Sequence, residues 1–216
     1  LDASGSTEET ADSITIGNIS SGVVYGESGA DTFDISGDAR KASIYGGAQN
    51  DSVIIAGSLS SGYVSGADGE DTIEVADFIK STVKGGADAD LVSASGVVSV
   101  GALYGNSGND SFVLTGVATS ASTYGGAGND SMTFGAAANT LTYEGGIGDD
   151  TLKVTGAINS STIYGDNASA VVAGADSISI GGTASGSYIY ANSGDDSVHI
   201  VGNVTASPVY LNSGDD

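Results

Sequence analysis

The sequence predicts an all-β protein, a parallel β-solenoid with about 20 residues per coil and two short strands in each. Three observations carry that expectation. An Asp recurs at positions 12, 31, 51, 71, 90, 110, 130, 150, 176, 196 and 216, with every gap 19 or 20 residues except one of 26. Directly after each of these but Asp216, apolar residues alternate with others at period two, the mark of a strand with one buried face. Directly before each one after Asp12, glycine gathers: 35 of the 216 residues are Gly, against one Pro, roughly double the usual glycine share of about 7%. A fixed period of this length is the signature of a repeat architecture.

Aligned on the Asp, the first strand places apolar pairs at Ile14/Ile16, Phe33/Ile35, Val53/Ile55, Ile73/Val75, Val92/Ala94, Phe112/Leu114, Met132/Phe134, Leu152/Val154, Ile178/Ile180 and Val198/Ile200. Six residues after the Asp, Gly37, Gly57, Gly96, Gly116, Gly156, Gly182 and Gly202 mark a turn. Eight after it, an apolar residue such as Leu59, Ile79, Val98, Ile158 or Val204 points back to the core. A second strand then ends in pairs such as Val24-Tyr25, Ile44-Tyr45, Val64-Ser65, Val83-Lys84, Leu103-Tyr104, Ile163-Tyr164, Ile189-Tyr190 and Val209-Tyr210. The first member should point inward. The second column tolerates Ser65, Lys84 and Glu144, so it reads as an exposed tyrosine ladder.

Two short strands cannot bury an apolar face alone. Stacked coils can, each strand pairing in parallel with its equivalent one rung away, about 4.8 Å along the axis. Residues 1–216 are therefore expected to form a single repeat array. The 26-residue gap reads as a six-residue insertion in one loop, near positions 165–175, within "GDNASAVVAGAD". The last Asp, Asp216, lacks the apolar pair that should follow it, and neither end resembles a polar cap. The expectation is a piece of a longer chain, or ends that stack on other copies.

Charge narrows the partners. Twenty-seven acidic residues against five basic ones give a net charge of −22. Nucleic acid and anionic membranes both require a basic surface, so neither is an expected partner. No apolar run approaches the ~20 residues of a membrane span, so direct membrane insertion is not expected. Cysteine is absent, which removes disulfides and thiol chemistry.

The loops before the Asp read "GESGAD", "GGAQND", "GADGED", "GGADAD", "GNSGND", "GGAGND", "GGIGDD", "ANSGDD" and "LNSGDD". Gly or Asn in the second slot tolerates a left-handed backbone that turns carbonyl oxygens inward. Gly in the fourth slot admits a neighbouring backbone. The Asp adds a carboxylate, and carbonyls with carboxylates are what Ca²⁺ requires. One such loop alone would read as a turn with a solvated Asp. Stacked in register, the carboxylates form a row of like charges about 4.8 Å apart with no basic counter-row. Calcium, roughly one ion per coil, would resolve the repulsion. The candidate carboxylate ligands are Asp31, Asp51, Asp71, Asp90, Asp110, Asp130, Asp150, Asp196 and Asp216. Gly29, Gly108, Asn109, Gly126, Gly128, Asn129, Gly146, Gly148, Asp149, Gly194 and Asp195 complete the candidate set.

At these residues the chain resembles the RTX (repeats-in-toxin, hemolysin-type) calcium-binding family, whose nonapeptide G-G-x-G-x-D-x-U-x matches "GGAGNDSMT" (Gly125 to Thr133) and "GGIGDDTLK" (Gly145 to Lys153). The match is weaker at Asp12 and at Asp176, where "VVAGAD" lacks the leading glycines. The family's usual β-roll has a calcium loop at both ends of each coil. Here nine-residue motifs alternate with about eleven other residues, which looks like a one-sided variant with a single ion row. The layout also resembles an extracellular ice-binding adhesin module. That module carries Thr just before the second Gly of its loop, where this chain has Ser28, Ala48, Asp68, Ala127 or Ile147. Without a flat Thr array, ice binding is not expected.

The resemblance implies a bacterial protein that is secreted, by type I secretion, to the cell surface. Within that family the Ser/Thr/Ala/Val-rich texture looks most like surface-layer, sheath or filament proteins, including a cyanobacterial type. The expected function is therefore structural and extracellular, with self-association or lateral assembly between copies. The alternative is an adhesin stalk or secretion module attached to a toxin or enzyme domain elsewhere. Enzyme activity is not expected of this segment. Its one histidine, His199, falls on an outward strand position, and no Ser-His-Asp set, H-E-x-x-H or Cys nucleophile occurs.

Overall fold

A computed structural model describes residues 10–167 and 174–216. The centre of the proposed insertion therefore lies outside the described residues. Ten coils stack in register, and every strand pairing is parallel. At about 4.8 Å per rung the stack is roughly 50 Å long.

Each coil contributes to two sheets, as expected, and in most coils the part in the larger sheet is split into two segments, so that three are seen. In the second coil these are Thr32–Ile35, Ala39–Arg40 and Ser43–Ala48. The extra segment arises because the residues just past the turn pair for two positions with their equivalents, as Ile19 does with Ala39 and Val98 with Ala118. In the third and fourth coils the first two segments fuse into Ser52–Ser60 and Thr72–Ile79. First and second segments form one 18-stranded sheet and third segments a 10-stranded sheet. The coil thus still has two faces, with the core between them.

That core is a set of side-chain ladders. Phe33, Val53, Ile73, Val92, Phe112, Met132, Leu152 and Ile178 pile up from the first segments, and Ile44, Val64, Val83, Leu103 and Ile163 from the third, all buried. The period-two reading therefore places the inward residues correctly. The exceptions are Val204 and Val209 in the final coil, 50% and 37% exposed, and the fourth coil's second segment, where Phe78, not Ile79, is the buried residue, at 1% exposure. This is a 19-residue coil, and the register slips by one between Ile55 and Ser58 of its neighbour. The slip lets Phe78 stack on Leu59 and Val98 and keeps the column intact.

The inward column of the third segments also holds Thr123 and Tyr143. Tyr143 is 2% exposed, between the smaller Thr123 on one side and Ile163 on the other. The outward neighbours form the expected tyrosine ladder. Ring centroids stand 5.1 Å apart for Tyr25–Tyr45, 5.0 Å for Tyr104–Tyr124, 5.1 Å for Tyr164–Tyr190 and 5.0 Å for Tyr190–Tyr210.

The corner opposite the Asp loops has its own constraint. The residue after each second segment is left-handed, at Ser21, Lys41, Ser61, Lys80, Val100, Ser120, Thr140, Ser160, Gly186 and Ala206. Val100 and Thr140 are the strained members, β-branched residues at φ 52° and 55°, and the Val100 side chain is half-exposed. An L-residue in this region costs about 1–2 kcal/mol, and Asn tolerates it best after Gly. Val100→Asn is therefore expected to raise unfolding stability by about 0.5–1 kcal/mol, read as an increased denaturant midpoint. A destabilised variant would show that the corner is not strained.

Candidate metal-binding row

Each Asp loop follows a third segment and turns the chain into the next coil. Its first slot is Gly in eight coils, from Gly26 to Gly165, then Ala191 and Leu211. Its second slot carries positive φ at Gly126 (122°), Gly146 (127°), Asn106 (80°) and even Ala67 (95°). The fourth slot does the same at Gly29, Gly108, Gly128, Gly148 and Gly194. A Cβ on Gly128 would strike the carbonyl of Gly108 one coil below. Both glycine roles expected from the loop pattern are thus met: backbone conformation in the second slot, close approach in the fourth.

The loop Asp side chains point inward and form a continuous row. Asp31, Asp51, Asp71, Asp90, Asp110, Asp130, Asp150, Asp176 and Asp196 are all 5% exposed or less. In each, Oδ1 accepts the backbone N–H of the equivalent Asp one coil earlier. The distances run from 2.7 Å for Asp12 N–H to Asp31 to 2.9 Å for Asp90 N–H to Asp110. At the end of the row, Asp196 N–H reaches Asp216 Oδ1 at 3.2 Å, and Asp216 itself is exposed.

The second oxygen has nothing. Oδ2 of all nine buried members is enclosed without a hydrogen-bond partner. In eight of the nine it lies against the α-carbon of the loop's first glycine, where a Cβ would collide with it: Gly125 with Asp130 Oδ2, Gly145 with Asp150 Oδ2, Gly165 with Asp176 Oδ2. In most coils the same hypothetical Cβ would also meet the first-slot carbonyl of the next coil, as Gly125 meets the Gly145 oxygen and Gly145 the Gly165 oxygen. Glycine thus leaves a small cradle facing a carboxylate oxygen and a backbone carbonyl.

The fifth slot runs a second ladder in the opposite direction. Asn109 Oδ1 accepts the N–H of Asn129 at 2.8 Å, Asn129 Oδ1 that of Asp149 at 3.0 Å, and Asp149 Oδ1 that of Ala175 at 2.8 Å. Asp195 likewise accepts from Asp215 at 2.8 Å. These fifth-slot side chains are spent on joining coils at the solvent edge. Of the candidate set, only the row Asp carries an unmatched buried oxygen.

Two features extend the candidate set: Asp176, which the sequence placed in the recurring column but not among the candidate ligands, and the first-slot glycines. Asp176 stands in the row like its neighbours, accepting the Asp150 N–H at 2.8 Å. Its leading glycine is Gly165, eleven residues upstream because the insertion lies between them. The first-slot glycines were also missed as part of the site, although their column is visible in the sequence once the coils are aligned. Beside Asp176, Asp166 is a further buried acid, satisfied by the N–H groups of Gly174 (3.2 Å) and Ser193 (3.1 Å).

Burial dominates the electrostatics. It pushes the carboxyl pKa of Asp51, Asp90, Asp130 and Asp176 up to about 7, of Asp71 to about 6 and of Asp150 to about 8. The backbone N–H on Oδ1 opposes this, and neighbouring carboxylates reinforce it. Asp31, Asp110 and Asp196 are raised for the same leading reason. Burial also lifts the Tyr143 phenol well above its ordinary value, helped by Asp150, Asp176 and Asp130. Its hydroxyl, too, is buried without a partner. No base answers the row: among the described residues the one ion pair is Arg40–Asp38 at 3.2 Å, on the surface. Nor do three acidic or histidine side chains converge anywhere among those residues. Any cation held here would combine separate carboxylates with backbone oxygens.

The chain matches no protein-family model and no curated protein. Among solved structures it is similar to one described as a hyperactive, Ca²⁺-dependent, beta-helical antifreeze protein from an Antarctic bacterium. The identity is 18% over all of this chain and 86% of that one, with a TM-score of 0.44.

The raised pKa values set a pH dependence for the metal-free protein. Groups whose folded pKa exceeds the unfolded value of 3.8 favour the fold most below that pH. Their contribution is lost as pH rises through about 6 to 8. Metal-stripped protein should therefore gain β structure on acidification from pH about 8 to about 4, followed by circular dichroism. Loss of structure over the same range would contradict the uncompensated row.

Proposed function

We propose that this segment is a calcium-binding β-solenoid of the one-sided RTX type, serving as a rigid extracellular structural element. The observation that carries the reading is the row of nine buried Asp Oδ2 atoms without partners, eight of them beside a glycine cradle and the ninth, Asp196, beside Ala191. A buried carboxylate needs a proton or a cation. At neutral pH an uncompensated row would oppose folding, and hard oxygen donors from carboxylate and carbonyl suit Ca²⁺. Asp31 to Asp196, now including Asp176, would hold the ions together with first-slot carbonyls, about one ion per coil. Bound calcium would supply the positive charge that the chain's own side chains lack.

Coupling between ion and fold follows, because binding free energy at such a site is folding free energy. Low cytosolic calcium would leave the chain unfolded for export, and external calcium would fold it. The rod, its exposed tyrosine stripe and its acidic edge suit a surface layer, sheath or filament in which copies meet side by side. Among the described residues no helix is long and apolar enough to cross a membrane.

At neutral pH, chelation with EGTA is expected to collapse the β-type circular dichroism spectrum and added calcium to restore it. An unchanged spectrum in EGTA would overturn the reading.

Ion counting by calorimetry then tests the row itself. Asp176→Asn should lose as much bound calcium as Asp130→Asn, since both sit in the row with Oδ2 unmatched. Gly125→Ala, whose methyl would fill the cradle at Asp130, should reduce the count without removing any carboxylate. Full binding by Gly125→Ala would place the ions elsewhere.

A further inference from the structure

The tyrosine ladder is a set of reactive pairs as well as a surface. In Tyr25–Tyr45, Tyr104–Tyr124, Tyr164–Tyr190 and Tyr190–Tyr210 the rings stand 5.0–5.1 Å apart and within 8–11° of parallel. In-register pairing fixes this, since each Tyr faces its equivalent on the next coil. The rings lie at the surface, with Tyr25 and Tyr210 each 45% exposed. Interruption at Ser65, Lys84 and Glu144 divides the column into separate stacks. Tyr104 and Tyr124 form an isolated pair, with Lys84 Nζ 5.5 Å above the Tyr104 ring.

The rest of the chain offers an oxidant little else. It has no Cys and no Trp, and its one Met, Met132, is buried at 2% exposure. One-electron oxidation is therefore directed to the phenols, and a radical on one ring has another phenol beside it.

We propose that the stacked tyrosines are sites of oxidative cross-linking, joining neighbouring coils through dityrosine. The oxidant is hydrogen peroxide used by a haem peroxidase. Each of two phenols loses one electron and its hydroxyl proton, and the peroxide takes both electrons and both protons to become two waters. The unpaired density reaches the ring carbons next to the oxygen (Cε). A carbon–carbon bond forms between the two Cε atoms, and each Cε hydrogen then moves to its own oxygen, restoring both aromatic rings. The net change is the loss of two hydrogens per cross-link. Coupling needs only a small reorientation, because the joined ring carbons come from side chains on adjacent, paired backbones. Each bond would fasten one coil to the next independently of the Asp row on the loop edge.

The test treats folded protein at micromolar concentration, in calcium, with peroxidase and hydrogen peroxide. Dityrosine fluorescence and peptide mass mapping follow the products. Groups tethered side by side see one another at an effective concentration on the order of millimolar, so the intramolecular bond should outrun the intermolecular one by about a thousandfold. The expected result is a Tyr104–Tyr124 link within one chain, formed at a rate independent of protein concentration. Tyr104→Phe should abolish that link and leave Tyr164–Tyr190 coupling unchanged, and unfolding in urea should remove the preference for either pair. Cross-links found only between molecules, or no link at any stacked pair in the folded protein, would overturn the proposal. Neither result would bear on calcium binding, which the EGTA experiment decides separately.

Discussion

Everything in this molecule depends on neutralising one row of carboxylates. Desolvating an unpaired ion costs several kcal/mol even after relaxation, and nine row members have a buried oxygen with no partner. The whole net stability of a folded domain is only about 5–15 kcal/mol. A row left charged and bare would exceed that margin, so the solenoid stands only with protons or cations in place. The pKa values raised to about 6–8 express the same conflict within single groups.

Removing the row would not leave a sound solenoid either. Each Oδ1 receives the N–H of the preceding coil's Asp, and the fifth-slot side chains answer with N–H groups of the following coil. The two ladders run in opposite senses along one edge. The Asp row ties every loop to its neighbours, and the fifth slot adds a second tie wherever it is Asn or Asp with a bonded Oδ1, but not at Ala30, Ala89 or Ala175. The loop is also where the backbone is most extreme, with left-handed residues in the second and fourth slots. One short motif thus holds the turn, joins the coils and gathers charge. The apolar ladders behind it supply burial, but β-branched and aromatic columns of this kind would fit many coil shapes. Parallel strand pairing fixes the rise at which they meet, and the loop edge adds a second set of register-specific bonds.

The opposite faces carry what the loop edge does not need. Because register is strict, an outward residue repeated in sequence becomes a stripe in space, and the tyrosines stack where a less ordered sheet would scatter them. Tyr143 shows the same rule from the inside. It occupies an inward position in a column otherwise filled largely by Val, Ile and Leu, and the small Thr123 beneath it leaves room for the ring.

Sequence by itself determined the coil length, the parallel stacking, the inward residues of the first and third segments and the exposure of the tyrosine column. Each of these is a periodic property, and a period survives being read one residue at a time. Tertiary structure alone decided matters that depend on which atoms meet across coils. It split the first strand of most coils into two segments, because pairing between neighbours, not pattern within one, makes Ala39–Arg40 a strand. It put Phe78 in place of Ile79 by a register slip that balances a missing residue. It joined Gly165 to Asp176 across an insertion that hid the motif, and it separated the two oxygens of each Asp into one that is bonded and one that is not. A string of letters marks where a carboxylate stands; only the folded coils show which of its oxygens is left without a partner.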